Sequence, residues 1–446
     1  MVIMMYNFDK SLSRFSRLLK IETVAGNDGE FVKFREVLKE LYPNIAKNCK
    51  LERIGDSGLM YKWKGKNSSK AIVLMSHYDV VPASPEQWDK PPFSGEISGG
   101  AIWGRGAIDT KCTLCAVMES VEALLGVQGF IPDFDVYMCF GGDEETAGND
   151  AVAIATVLRR RGVKPFLIID EGGAVVQLPQ KLQKKGGGRV ALIGIAEKGY
   201  MDVEFIAKGR GGHTSLPVIH SPLVTISEVI RRLKNPFKPT ISTPVRIMGA
   251  AIANQFGFKI KVALRSTLLR RIFMPKLIRV VPEVGALTQT TGAITLISGG
   301  SAANVIPEEV RAVGNFRVIS GTTVDETLGI IKKALRGLDV EVNLIESLEP
   351  SKTSRVDGDG WDALNSAIVS TWGVEEDGKG IAVVPYLMIA RSDSRFYSDI
   401  SDSIYRFSPM VMTKIERNSI HGVNERISVE NFRKMIEFYI LIVRNK

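Results

Sequence analysis

Three uninterrupted apolar runs, each followed by polar or acidic residues, dominate the first half of the chain. They are AIVLM at 71–75, VYMCF at 136–140 and PFLII at 165–169. A strand that is apolar on both faces is typical of a parallel sheet covered by helices. Segments 104–127 and 151–162, which separate these runs, each contain a stretch typical of a helix. The order strand, helix, strand, helix, strand predicts an α/β core with a mostly parallel sheet flanked by helices.

The pattern changes near residue 198. GYMDVEFIAKG at 199–209 alternates with period two, as a half-exposed strand does. Strand–helix–strand units follow, and they predict a smaller α+β domain. The last hundred residues resume the pattern of the core. The sequence therefore predicts a large domain in two parts, 1–197 and 351–446, with a smaller domain inserted at 198–350.

Polar residues collect where the apolar runs stop. The set comprises His77, Asp79, Asp109, Asp143, Glu144, Glu145, Asp170 and Glu171. The carboxyl ends of parallel strands lie at one edge of a sheet, which is where open α/β sheets carry their sites. Carboxylates packed together raise each other's pKa, and a divalent cation removes that repulsion. Imidazole and carboxylate are zinc ligands.

These residues outnumber the ligands of one tetrahedral zinc. They suit two metal ions that share a bridging carboxylate. Each motif alone is also typical of an ordinary polar pair or a solvated turn. Their joint occurrence at successive strand ends favours a metal site.

Composition indicates the cellular compartment of the protein and says little about its chemistry. The four cysteines include a single CxxC, Cys112 and Cys115, inside a helical pattern. Without a second pair, this spacing favours two core residues over a zinc or redox site. The N-terminus does not have the pattern of a secretory signal, and no stretch is apolar enough for a transmembrane helix. We therefore expect a cytoplasmic protein.

Positive charge is concentrated in one segment. Residues 231–280 hold twelve Lys or Arg and no acid, in a chain whose net charge is +9. The pattern at 261–281 is that of an amphipathic helix with a basic outer face. An anionic substrate, a partner or a membrane surface is the alternative. We do not expect nucleic-acid binding.

Seven motifs in order carry a resemblance to a known family. They are SHYDVVP, GRGAIDTK, GGDEETAG, DEGG, GGHTSLP, SGGSAANVIP and HGVNER, between about residues 70 and 426. In order and approximate spacing they resemble the dinuclear zinc exopeptidases and deacylases. That family includes carboxypeptidase S, aminoacylase, glutamate carboxypeptidase and succinyl-diaminopimelate desuccinylase. The long form SHYDVVPASPEQWDKPPFSGEI is most similar to the carboxypeptidase S branch.

The resemblance implies a zinc-peptidase-like fold that binds two Zn²⁺ per subunit, for which Co²⁺ or Mn²⁺ can substitute. The implied ligands are His77 and Asp170 for one ion, Glu145 and His421 for the other, and Asp109 as the bridge. Glu171 is the alternative to Asp170. We expect Asp170, because the ligand in this branch usually lies where the strand stops.

The resemblance also implies roles for residues that do not bind metal. Asp79 orients the first ligand histidine, and Glu144 is the general base. His213, in the smaller domain, faces the scissile carbonyl. Asn304 is expected to hold a substrate carbonyl and Arg395 a substrate carboxylate, although a structural ion pair explains Arg395 equally well.

The implied function is hydrolysis of an amide bond by metal-activated water, in a carboxypeptidase or dipeptidase. An aminoacylase-like deacylase acting on N-acyl amino acids is the alternative, and a catalytically silent binding protein is a third hypothesis. The smaller domain is expected to act as a lid and to form a homodimer. Two positions depart from relatives: Cys112, where many have Gly, and Phe396, where close relatives often have His.

Overall fold

The computed structural model describes residues 6–177, 188–216, 221–234, 236–252, 282–373 and 381–444. The chain divides into two compact units. The first unit comprises Met1–Ile195, Ser354–Pro385 and Ser392–Lys446. The second unit comprises Ala196–Thr353 and Tyr386–Arg391. The expected insertion at 198–350 falls within the second unit.

The described strands and helices follow in chain order. The strands are β1 (Lys50–Ile54), β2 (Gly58–Trp63), β3 (Asn67–His77), β4 (Ile97–Ser98), β5 (Ala101–Trp103), β6 (Phe134–Gly141), β7 (Pro165–Gln177), β8 (Arg189–Glu197), β9 (Gly199–Lys208), β10 (Gly212–His213), β11 (Thr291–Ser298), β12 (Val305–Ile306), β13 (Glu309–Val318), β14 (Glu341–Leu348), β15 (Ala382–Met388), β16 (Ile404–Val411) and β17 (Arg426–Ser428). The helices are α1 (Phe8–Leu19), α2 (Asp28–Leu41), α3 (Pro43–Asn48), α4 (Lys111–Leu125), α5 (Asn149–Arg160), α6 (Pro222–Leu233), α7 (Thr243–Ile252), α8 (Pro282–Thr288), α9 (Val324–Ala334), α10 (Gly358–Trp372), α11 (Lys414–Ser419) and α12 (Val429–Arg444).

An eight-stranded sheet with the order β1-β2-β6-β3-β7-β16-β8-β15 forms the core of the first unit. Its four central strands, β6, β3, β7 and β16, are parallel. The hairpin of β1 and β2 adds antiparallel strands at one end, and β8 is antiparallel to β7 and β16. The predicted α/β class and the mostly parallel centre of the sheet are confirmed.

Burial explains why the apolar runs form the central strands. Every residue of β3 from Ala71 to His77 is buried, because the strand has a neighbour on each side and helices packed over it. Helix α5 is amphipathic and buries Ala151, Ile154 and Leu158, spaced three and four residues apart, in a cluster that includes β3 residues. Helix α4 is buried almost throughout, between β3 and α12.

The second unit is built on an antiparallel sheet with the order β11-β13-β9-β14. Alternate β9 residues Met201, Val203 and Phe205 face a core that also contains Ile226 and Val229 of α6. The period-two pattern of β9 therefore marks a sheet with one face buried under α6 and α9.

Two expectations concern segments that the structure describes only in part. The basic segment 231–280 is described up to 252 apart from residue 235, and the amphipathic stretch at 261–281 lies outside the described residues. Within the part of the chain that is described, no helix has both the length and the apolar character needed to cross a bilayer.

Candidate metal centre

His77 is the last residue of β3, and Asp79 fixes the orientation of its imidazole ring. The side chain is buried, and Nδ1 lies 3.0 Å from the backbone oxygen of Asp79 and 3.3 Å from Asp79 Oδ1. The other Asp79 oxygen accepts a hydrogen bond from the backbone N–H of Glu145 at 2.9 Å. Because Nδ1 is engaged by Asp79, Nε2 is the nitrogen directed at the neighbouring carboxylates.

Asp109 lies between two histidines that are remote in sequence. Its Oδ1 is 3.0 Å from His77 Nε2, and its Oδ2 is 3.0 Å from His421 Nε2. Each carboxylate oxygen therefore faces one imidazole. This is the arrangement expected of a carboxylate that bridges two cations.

Two more carboxylates complete the cluster. Glu145 Oε1 lies 3.1 Å from His421 Nε2, and Glu171 Oε1 lies 3.7 Å from His77 Nε2. Among the described residues, two sets of side chains bring ligand atoms within 4.8 Å of one another. They are His77 with Asp109 and Glu145, and His77 with Glu144 and Glu171.

Asp170 and Glu171 are separated by the geometry of β7. Asp170 is buried, and its Oδ2 accepts a hydrogen bond from the backbone N–H of Ser394 at 2.8 Å. Glu171, at the next position, reaches His77 instead. Glu171, the alternative ligand, is thus the residue of the pair with a recorded contact to His77.

The electrostatics of the cluster match a site for cations. Burial raises the pKa of Glu144 to about 7, with the His77 imidazole opposing and nearby carboxylates adding to the effect. Burial, with Asp109 as the nearest like charge, raises the pKa of Glu171 well above its ordinary value. These carboxylates therefore repel one another in a buried place. Carboxylate oxygens and imidazole nitrogens are also the donors that zinc accepts, so the residues fit two such ions.

The two histidines supply the opposing charge. Burial would raise the pKa of Asp109, but hydrogen bonds from His421 and His77 hold it well below its usual value. Hydrogen bonds with Asp109 and Glu145 raise the pKa of His421 to about 10. Charge attraction among these groups therefore holds the cluster together.

The loop between β6 and α5 is fixed by two acids outside the cluster. Asp143 accepts hydrogen bonds from the backbone N–H groups of Asn149 and Asp150 at 2.7 and 3.1 Å. The Asp150 carboxylate accepts in turn from the N–H of Gly142 at 3.0 Å. Asp143 therefore supports the start of α5, while the next two residues of the loop enter the cluster.

The remaining sequence candidates lie elsewhere. His213 and Asn304 belong to the second unit and are neighbours there, because β10 pairs with β12 and the Thr214 N–H donates to the Asn304 backbone oxygen at 3.2 Å. His213 Nδ1 lies 2.9 Å from Ser215 Oγ. Arg395 belongs to the first unit and is buried in the short 3-10 turn Asp393–Tyr397.

Two buried acids of the first unit were missed by sequence reasoning. Asp393 is buried, and its carboxyl pKa is raised well above its usual value by burial and by Glu144 and Asp170. Glu425, in HGVNER, is fully buried beside the loop that carries Asp109. The sequence showed only that Glu425 belongs to a motif, and it did not show that either acid is buried, since acids are rarely buried without a partner.

Known proteins resemble this chain over nearly its whole length. "Probable carboxypeptidase S-like 2" of Dictyostelium discoideum is 33% identical over 424 residues, which are 93% of this chain and 79% of that protein. "N-fatty-acyl-amino acid synthase/hydrolase PM20D1" of Xenopus tropicalis is 30% identical over 440 residues, 96% of this chain and 84% of that protein. The crystal structure of an M20 family metallo-carboxypeptidase from Sulfolobus solfataricus shares the fold, with a TM-score of 0.69 at 18% identity, covering 97% of this chain and 98% of that one.

The family itself is recognised by sequence. The profile described as "Peptidase family M20/M25/M40" matches residues 73–445, which include every motif quoted above. The resemblance to metal-dependent peptidases of the carboxypeptidase S kind is confirmed by this match and by the relatives. The chain is therefore a metallohydrolase that belongs to peptidase family M20/M25/M40.

Proposed function

We propose that this chain is a dinuclear zinc exopeptidase that cleaves the amide bond of a small peptide. The observation that carries the proposal is the position of Asp109, with one carboxylate oxygen facing His77 and the other facing His421. One ion would be held by His77 and Glu171, and the other by Glu145 and His421, with Asp109 between them. When bound, the ions supply Lewis acidity and a water molecule of lowered pKa.

Glu144 is the proposed general base. It is adjacent to Glu145 in the chain, and it groups with His77 and Glu171 rather than with the set that contains Glu145. Its carboxyl pKa of about 7 lies near the pH at which an acid–base catalyst works best. In this role Glu144 takes a proton from the attacking water and delivers it to the leaving amine.

Three further residues are proposed to orient the substrate. His213 and Asn304 are neighbouring polar residues in the second unit, which supports a joint role in holding the scissile carbonyl. Arg395 is proposed to bind the substrate carboxylate through its planar guanidinium.

A deacylase acting on N-acyl amino acids is the second candidate. The PM20D1 relative, named as an N-fatty-acyl-amino acid synthase/hydrolase, favours it at 30% identity. Both candidates break an amide bond next to an amino acid, so they require the same residues. Release of amino acids from a panel of dipeptides and N-acyl amino acids would distinguish them.

The decisive experiment separates catalysis from metal binding. We expect Glu144→Gln to retain two metal ions per subunit and to lower kcat by about 10²- to 10⁴-fold, because the proton acceptor is lost. Glu171→Gln is expected to lose metal as well as activity, because a ligand is lost. Metal content by elemental analysis and kcat would be measured on the same samples. Near wild-type turnover by Glu144→Gln would contradict the assignment of the base.

Metal removal tests the class of enzyme. Chelation is expected to abolish turnover, and Zn²⁺ or Co²⁺ to restore it, with Mn²⁺ as a further substitute. Full activity in a metal-free sample would overturn the scheme. A metal-loaded protein that binds the substrate panel without releasing any amino acid would instead support a silent binding protein.

A homodimer and a cytoplasmic location complete the proposal. The edge strand β11 exposes Leu296 and Ile297, and the neighbouring helix α6 exposes Leu223 and Val224. An exposed apolar edge strand can pair with a second copy and extend the sheet. The four cysteines are buried free thiols, the state that a reducing compartment maintains.

A further inference from the structure

Glu425 is a buried carboxylate bound by the loop that carries Asp109. Its side chain is fully shielded from solvent. Oε1 accepts hydrogen bonds from the backbone N–H groups of Ile108 and Asp109 at 2.7 and 3.1 Å. Oε2 accepts from the N–H of Gly106 at 3.2 Å and from Arg105 Nη1 at 2.7 Å. Four donors from one short loop therefore converge on one carboxylate.

The same contacts fasten the segment that carries His421. The His421 side chain is 52% exposed, and its hydrogen-bonding partners are Asp109 and Glu145. Because half of this side chain is open to solvent, the backbone that carries it contributes to the position of the imidazole. Arg105 Nη2 donates to the backbone oxygen of Gly422, the next residue, at 2.9 Å. The Arg105–Glu425 pair thus links the backbone that leads into Asp109 to the backbone that follows His421.

Further hydrogen bonds hold the segment that carries His421 and Glu425 in place. The Gly104 N–H donates to the Glu425 backbone oxygen at 3.0 Å. The Asp89 N–H donates to Asn424 Oδ1 at 2.7 Å, and Asn424 Nδ2 donates to Asp89 Oδ2 at 3.1 Å. The segment is also a tight turn, since His421 and Asn424 both have positive φ. The whole second unit lies between these segments in sequence, so the pairing depends on such contacts.

We propose that Glu425 is the positioning residue that sets Asp109 and His421 in register with each other. By holding the backbone at Asp109, it directs one carboxylate oxygen at each histidine, and through Arg105 it holds the turn that presents His421. The proposal rests on the proposed function only in taking Asp109 and His421 as metal ligands. Glu425 touches neither a ligand side chain nor the reacting atoms, so it acts through other residues.

The variant Glu425→Gln tests this role with little change in volume. A Gln amide has one oxygen and one NH₂ group, so at least one of the four donors would face another donor. We expect metal affinity to fall by about 10- to 100-fold, the usual effect of losing a residue that orients ligands. Competition against a chromophoric chelator measures the affinity. The absorption spectrum of the Co²⁺-substituted protein is expected to change, because it reports ligand geometry.

Glu119→Gln is the matched control. Glu119 is also a buried acid in the first unit, paired with Arg14 at 3.1 Å and hydrogen-bonded to Ser11 at 2.7 Å. Its loss removes a comparable buried ion pair that does not contact the ligand loops. We expect Glu119→Gln to lower the melting temperature while leaving metal affinity and the Co²⁺ spectrum unchanged.

The outcomes are distinct. Wild-type affinity and spectrum in Glu425→Gln, or equal losses in Glu119→Gln, would overturn the proposal. If Glu425→Gln fails to fold, Arg105→Lys is the second variant, because it removes the hydrogen bond to the Gly422 backbone. It is expected to weaken metal binding in the same way. Unchanged metal affinity in Arg105→Lys would also contradict the proposal. A wild-type protein that binds no metal would instead refute the proposed function.

Discussion

Lys198 shows at the scale of one residue how burial changes a charge. Its Nζ lies 3.0 Å from the backbone oxygen of Ala286, 2.8 Å from that of Gln289 and 3.2 Å from Thr291 Oγ1. Burial, with repulsion from Arg317, lowers the pKa of Lys198 to about 8. All three acceptors are neutral, so these contacts bring no opposite charge to offset the cost of burying the ammonium.

This shift predicts a pH-dependent stability. Below about pH 8 the folded and unfolded chains both hold the proton, and the cost of burying the charge is complete. Between about pH 8 and 10 the unfolded chain keeps a proton that the folded chain has lost, so the free energy of unfolding rises with pH. Relative to Lys198→Met, we expect the free energy of unfolding of the wild type to increase by about 1–3 kcal/mol between about pH 8 and 10.

Denaturant titrations of both proteins at several pH values would measure the gain. Lys332→Met is the control, because it removes a lysine that is exposed on α9 of the same unit and therefore buries no charge. A flat or falling difference between wild type and Lys198→Met from pH 8 to 10 is inconsistent with a lowered pKa.

At the scale of elements, glycines decide how closely helices approach the sheet. Gly360, near the start of α10, lies so close to β7 that a Cβ would clash with the backbone oxygen of Phe166. That oxygen is part of the backbone of a central strand, so it cannot move unless the strand moves. Gly329 in α9 has open space around the equivalent position. The two glycines share a secondary structure and differ in packing.

Alanine at these two positions is therefore expected to have opposite effects. Gly360→Ala should lower the free energy of unfolding by about 1–3 kcal/mol, because the helix must move away from the sheet. Gly329→Ala should raise it by about 0.5–1 kcal/mol through helix propensity alone. Urea titration measures both. A Gly360→Ala protein as stable as Gly329→Ala would show that the close approach of α10 to β7 is not required.

At the scale of the whole molecule, either of two sheet edges could form the interface of the proposed dimer. Strands β11 and β14 are the edges of the second sheet, and they expose Ile297 and Ile345 to a similar degree, 57% and 58%. Helix α6 packs against β13 and β9, while α9 packs against β14 and β9. The exposed Leu223 and Val224 of α6 therefore add apolar surface on the side of β11.

We expect two copies to pair through β11. Ile297→Lys should convert a dimer of 49.0 kDa chains to monomers, because a lysine on an edge strand opposes pairing. Ile345→Lys makes the same change on β14 and should leave the dimer intact. Sedimentation velocity distinguishes the two states. Dissociation caused by Ile345→Lys but not by Ile297→Lys would assign the interface to β14 instead. A monomeric wild type would rule out the dimer.

Much of the fold was predictable because burial on both faces leaves a direct mark on the sequence. The runs at 71–75, 136–140 and 165–169 all lie in the central parallel strands. Strands β8 and β15 were not predicted, although they extend the same sheet. A strand on the antiparallel side of the sheet can be identified only when its pairing partners are known. The partners of β8 are β7 and also β16, which is distant in sequence.

The sequence by itself determined the family, the alternation of three apolar strands with helices along the chain and the types of residue at the ends of those strands, because these depend on composition and local spacing. Only the tertiary structure decided which residue of a neighbouring pair faces the cluster. The pairing of β7 with β16 shifts register between Asp170 and Gly173, so simple alternation does not identify Glu171 as the residue beside His77. Only the folded chain also revealed Glu425, because a buried carboxylate acquires its role from donors more than three hundred residues away.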